Sequence, residues 1–146
     1  MKEIRVALDE GAIAPTRKHP TDAGMDLYWY NPGCVELSLF KAGIHILHTG
    51  TYIDIPEGYF GLIKPKSRSN YDVLAGVVDY GYTGEILVKI WVPEGGVTLF
   101  PGSAIAQILF IPIITPAIVI VDSSRIGRVT PRGESGGIVN ELSYKG

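Results

Sequence analysis

The sequence predicts an all-β fold, a sandwich or barrel of short strands, and three observations carry that reading. Apolar residues come in short alternating or continuous runs with no sustained helical spacing. Those runs are rich in Val, Ile, Tyr and Phe, the residues that suit a pleated surface. Turn chemistry separates them: "NPG" at 31–33, "HTG" at 48–50, "PEG" at 56–58 and 93–95, and "PG" at 101–102. Many short strands at such spacing are the mark of a sandwich or barrel. With 146 residues, 46% of them apolar and 19% charged, the chain can bury a core and is not of disordered composition.

The elements follow in order. "MKEIRVA" alternates, lacks the apolar centre of a signal peptide and predicts a first strand over 2–8. Strands over 25–30 and 34–39 flank "NPG", and "GIHILH" predicts one over 43–48. Strands over 51–55 and 59–64 sit on either side of "PEG". Residues 73–78 run into Asp79, and "EILVKIWV" at 85–92 follows, so the two read as a hairpin with "DYGYTG" at its tip. A strand over 96–100 leads into "PG". The run 104–121, "AIAQILFIPIITPAIVIV", is long enough for a membrane helix, but Pro112, Pro116, Gln107 and its β-branched content divide it into strands over 104–111 and 117–121. From residue 123 the chain turns polar and glycine-rich, which predicts a domain over 1–122 and a flexible arm over 123–146 that frays or orders on a ligand or neighbour.

Composition narrows the function. A net charge of −2 supplies no basic face for duplex nucleic acid, so neither nucleic acid nor membrane is an expected partner. The single Cys34 rules out an internal disulfide and suits a reducing compartment, the cytoplasm. His19, His45 and His48 are scattered and Cys34 has no partner at zinc spacing, so no metal-ligand cluster stands out. A phosphate-binding GxxxxGK[ST] loop is absent too. On the residues alone, Asp79 is either a turn acid bonding its own backbone or an active-site carboxylate.

Five short segments, taken in order, are more specific: "DAGMDL" at 22–27, "KSRSN" at 66–70, "GVVDYGYTGE" at 76–85, "PGSAIAQILF" at 101–110 and "RGESGG" at 132–137. The set resembles the five motifs of the trimeric deoxyuridine triphosphate nucleotidohydrolase (dUTPase) family. The intervening "TGTYIDIPEGYFGLIK" at 49–64 resembles that family's strand pair as well. The resemblance spans roughly residues 4–136. It implies a jelly roll, or distorted β-barrel, assembled as a homotrimer whose sites draw on three chains. It also implies hydrolysis of dUTP to dUMP and pyrophosphate by water attacking the α-phosphorus, with Mg²⁺ as cofactor.

The resemblance assigns roles by position. Asp79 matches the catalytic carboxylate that orients and deprotonates water. Tyr82 matches the tyrosine whose ring lies under the deoxyribose and leaves no room for a 2′-hydroxyl. The main chain around Val73, Val77 and Val78 would read uracil. Asp26 matches the acid that holds hydrated Mg²⁺ through water, as suits an ion that dehydrates reluctantly. Arg68 and Ser69 align with the phosphate-binding arginine–serine pair, and Asn70 stands where Ser or Gly is usual. Gln107 matches an amide that orients Ser69 or donates to phosphate, and Arg132 matches an arginine that meets the γ-phosphate.

Three departures accompany these matches. The link from Ser69 to Asp79 is short, and the alternative register Lys66-Ser67-Arg68 restores part of the spacing. Ser103 and Ala104 replace an Asp-Arg pair. Gly137 stands where the family places a Phe that stacks on uracil, which predicts a raised KM or another residue as lid. Two other functions stay open. A degenerate member kept as a nucleotide-binding or regulatory module would explain the altered tail. A dCTP deaminase shares the hairpin pattern but would need a glutamate at position 89, where the chain has Lys89.

Overall fold

A computed structural model describes residues 2–126. Its strands, in chain order, are β1 (Arg5–Leu8), β2 (Gly24–Tyr28), β3 (Ser38–Phe40), β4 (Gly43–His48), β5 (Thr51–Asp54), β6 (Tyr59–Lys64), β7 (Asp72–Val73), β8 (Gly76–Val78), β9 (Leu87–Val92), β10 (Val97–Leu99) and β11 (Ala104–Pro112). All belong to a unit spanning Met1–Thr115. A second unit, Pro116–Gly146, carries, among the described residues, a 3-10 turn, Ser123–Arg125, capped by the Asp122 carboxylate accepting from the Ser124 N–H. The fold is an all-β jelly roll. Its strands form a four-stranded sheet in the order β2-β11-β6-β8, a three-stranded sheet β4-β9-β7, and the pairs β1-β5 and β3-β10.

Alternation builds the core. In β9, Val88, Ile90 and Val92 are fully buried while Leu87, Lys89 and Trp91 face outward. That is what a period of two does to a strand with one face against the interior. Leu27, Leu47, Ile53, Ile63, Ile105 and Ile108 join them in one cluster. In β11 the register against β2 shifts between Ala104 and Ala106, so Ile105 and Ala106 are both buried in succession. The bulge re-phases the strand beyond it. Gln107 emerges half-exposed, opposite Asp26 of β2 and Lys64 of β6.

Three expectations about strands need correction. Residues 73–78 are not one strand, because β7 pairs with β9 and β8 pairs with β6, the chain crossing between sheets at Leu74–Ala75. For the same reason 76–92 is not a hairpin: β8 and β9 lie in different sheets, and "DYGYTG" is the corner joining them. Residues 117–121 form no strand among the described residues. Their sequence favours extension, but Ile118, Val119 and Ile120 are 79–88% exposed and have no partner strand. A strand needs a neighbour as well as propensity.

Candidate functional site

The strand switch at 72–78 creates an opening. Leu74 N–H donates to Lys89 C=O at 2.8 Å, which makes 74 and 89 a hydrogen-bonded pair of the antiparallel ladder. Val73, one residue earlier, therefore directs its own N–H and C=O away from β9. As β7 is an edge strand, those groups face the open side of the sheet. β8 is likewise the edge of its sheet. Gly76 packs on Ile63 of β6, where an added Cβ would lie 3.4 Å from Ile63 Cδ1.

Beyond β8 lies a cleft of about 290 Å³ lined by Ile63, Gly76–Asp79, Tyr82 and Glu85–Leu87. Asp79 is exposed at its mouth, and its carbonyl accepts from the Tyr82 N–H at 3.2 Å, closing a turn. Gly81 at the turn has φ +87°, a conformation that favours glycine. The Tyr82 ring folds back over Gly84, where an added Cβ would sit 2.6 Å from the phenol oxygen. The phenol donates to Glu85 C=O at 2.7 Å. Of the residues assigned to one site, the fold thus gathers Val77, Val78, Asp79 and Tyr82, while Val73, on the edge of the other sheet, does not line this cleft.

A second cleft, about 320 Å³, is lined by Lys18, Asp22–Gly24, Asp26, Lys66, Ser67 and Gln107. Strand register explains the convergence, since Gln107 stands opposite Asp26 and Lys66 follows the end of β6 by two residues. Asp26 accepts from Lys66 Nζ at 2.5 Å, both side chains being half-buried. Gln107 donates to Pro65 C=O at 2.9 Å. Its amide oxygen lies so close to Gly24 that a Cβ there would come within 2.1 Å.

Of the second motif, Lys66 and Ser67 line this cleft; Arg68, Ser69 and Asn70 are exposed beside it and do not line it. The Tyr71 phenol donates to Ile105 C=O at 3.2 Å, and burial raises it above its ordinary pKa. Gln107 holds the Pro65 carbonyl, not Ser69. Arg132 and Gly137 lie outside the described residues.

Glu85, which reads as a plain strand-start residue, is tied into the turn between β4 and β5. One carboxylate oxygen accepts from His48 Nδ1 and the other from the Gly50 N–H, each at 2.9 Å. Burial pushes this carboxyl up, but the bonds from His48 and Gly50 outweigh it and hold the group below its ordinary value. Next to it, Ile86 N–H donates to Thr51 C=O and Thr49 Oγ1 donates to Ile86 C=O. Thr49 and Thr51 are fully buried.

Jelly-roll strands with an exposed carboxylate at the corner between two short-edged sheets set the class of the protein as an all-β jelly roll. The chain belongs to the dUTPase family, whose model, described as dUTPase, matches residues 10–136. A deoxyuridine 5'-triphosphate nucleotidohydrolase of Corynebacterium jeikeium is 36% identical over 144 residues, covering 90% of this chain and 87% of that protein. One from Fowlpox virus is 33% identical, covering 93% and 95%. Among solved structures, the dUTPase of Staphylococcus bacteriophage 80alpha with dUPNHPP superposes with a TM-score of 0.79 at 24% identity, over 92% of this chain and 95% of that one. That likeness bears on the fold.

Proposed function

We propose that the chain hydrolyses dUTP to dUMP and pyrophosphate. The observation that carries this is the Asp79 cleft, a free carboxylate beside two strand edges, in a member of the dUTPase family. Uracil presents a donor and acceptors on its pairing edge, and the outward N–H and C=O of Val73 offer their complement. Tyr82, fixed by Gly84 and Glu85, supports the deoxyribose from below. Asp79 orients a water and takes its proton as the water attacks the α-phosphorus.

The triphosphate falls to the other cleft. Lys66 is a compact cation for phosphate oxygens and Ser67 a hydroxyl donor. Among the described residues no three carboxylate, histidine or cysteine groups form a metal cage. That donor set fits a hydrated Mg²⁺ carried on the substrate phosphates, which Asp26 would hold through water once Lys66 pairs with phosphate in its place. When bound, the ion gathers the triphosphate oxygens and offsets their charge.

The two clefts share no lining residue, which supports a site shared between subunits of a homotrimer. The exposed Ile44, Ile46 and Trp91 on the outer face of β4 and β9 supply apolar surface for such an assembly. The arm over 123–146 would close on the γ-phosphate through Arg132. Lone Cys34 suits the cytoplasm.

Pyrophosphate release from dUTP with Mg²⁺ tests the activity, and Asp79→Asn tests the mechanism. Asp79→Asn is expected to lower kcat by about 10²–10⁴-fold while a non-hydrolysable dUTP analogue still binds. A fully active Asp79→Asn protein overturns the role given to Asp79.

A further inference from the structure

We infer that Glu85 is a positioning residue for nucleoside selection, acting through Tyr82. The inference rests on the reading of Tyr82 as the support for the sugar. The phenol end of Tyr82 is held by one hydrogen bond, to the Glu85 carbonyl at 2.7 Å. Where that carbonyl sits is decided by what grips residue 85, and the grip is its own side chain. Each carboxylate oxygen has one donor, His48 Nδ1 at the end of β4 and Gly50 N–H in the turn after it.

That turn is itself immobilised. Gly50 adopts φ +62°, with its Cα packed where a Cβ would meet Ala12 and Tyr30 at 2.8–2.9 Å. Its carbonyl accepts from the Asp9 N–H, and the His48 carbonyl from the Tyr30 N–H, both at 2.8 Å. The Glu85 carboxylate therefore transmits a fixed backbone position to a ring whose face meets substrate. A rigid supporting shell of this kind is what sets a contact to within a fraction of an ångström.

A merely structural carboxylate would alter stability and leave selectivity untouched. The test is the ratio of kcat/KM for dUTP over UTP in Tyr82→Phe, Glu85→Ala, their double variant and Glu85→Gln, with folding checked by circular dichroism. Tyr82→Phe removes only the hydroxyl, so its ring is no longer tethered. Tyr82→Phe and Glu85→Ala are each expected to lower the ratio about tenfold, as the loss of one such bond implies. The double variant is expected to match the worse single, because both break one chain of contacts. Glu85→Gln is expected to keep most of the ratio, its amide donating to His48 Nδ1 and its carbonyl accepting from Gly50.

Should Glu85→Ala not fold, His48→Ala replaces it in the cycle, since His48 is 61% exposed and its loss strips one clamp. Single effects that multiply in the double variant, or an unchanged ratio in Glu85→Ala beside a lowered one in Tyr82→Phe, overturn the inference for Glu85. An unchanged ratio in both Tyr82→Phe and Tyr82→Ala overturns instead the reading of Tyr82 on which it rests.

Discussion

Gly24 is the most exacting small residue in the phosphate cleft. Its backbone is not in the left-handed region, so alanine there meets no φ penalty. The new Cβ, however, would lie 2.1 Å from Gln107 Oε1 and 2.9 Å from Gln107 Cδ. The two nearest obstacles are the end of a flexible side chain, so Gln107 swings away, and its Cβ, 3.2 Å off, asks only a shift of a few tenths of an ångström. Swinging it away loses the 2.9 Å bond to Pro65 C=O, worth about 0.5–1.5 kcal/mol net. An off-rotamer side chain adds roughly 0.5–1.5 kcal/mol. Replacing a strand glycine returns about 0.5–1 kcal/mol. The balance is a destabilisation of about 0.5–2 kcal/mol, or a fall in Tm of roughly 2–8 °C for a chain of this size. Thermal melts at one fixed protein concentration measure it, and dUTP kinetics are expected to show a raised KM. In a Gln107→Ala background the same Gly24→Ala change is expected to cost nothing. Equal cost in both backgrounds, or none in the parent, refutes the reasoning.

Glu85 also predicts an acid response. Its folded pKa lies below the ordinary carboxylate value of 4.5, so its stabilisation is complete above that pH and disappears as pH falls through the depressed value. The Tm deficit of Glu85→Gln relative to the parent is expected to be largest above about pH 4.5 and to shrink in acid; a deficit that grows on acidification contradicts this. Thr49→Val removes a buried hydroxyl that donates to Ile86 C=O at 2.6 Å and accepts from the Thr51 N–H. It is expected to cost about 1–3 kcal/mol in chemical denaturation, because two backbone groups lose their partner in the interior.

What the sequence made legible is what depends on neighbours in the chain. Turn residues and alternation mark β4, β5, β6, β9 and β11 within a residue or two, and the ordered motifs single out Asp79 and Tyr82, which line one cleft, and Asp26 and Gln107, which line another. Pairing partners are another matter. The corner at 79–86 looks like a hairpin because its flanks are both strand-forming, yet their partners are β6 on one side and β4 and β7 on the other. The phosphate register was ambiguous because "KSRSN" contains two basic–serine pairs. What distinguishes the first pair is a long-range contact, Lys66 to Asp26, 40 residues away. Glu85 was passed over for a like reason, since its donors lie 37 and 35 residues away. Residues 117–121 show the converse, a pattern that is right for extension with no partner beside it.

The brevity of β7 and β8 has a consequence of its own. Open sheet edges invite other chains to add a strand, and proteins often keep such edges short for that reason. β7 is two residues long and β8 three. An edge of that length can satisfy one flat heterocycle but gives an incoming peptide too few rungs to hold. The opening proposed for the base thus gives polypeptide little purchase, and the longer edge strands, β2 and β4, lie at the opposite margins of the two sheets.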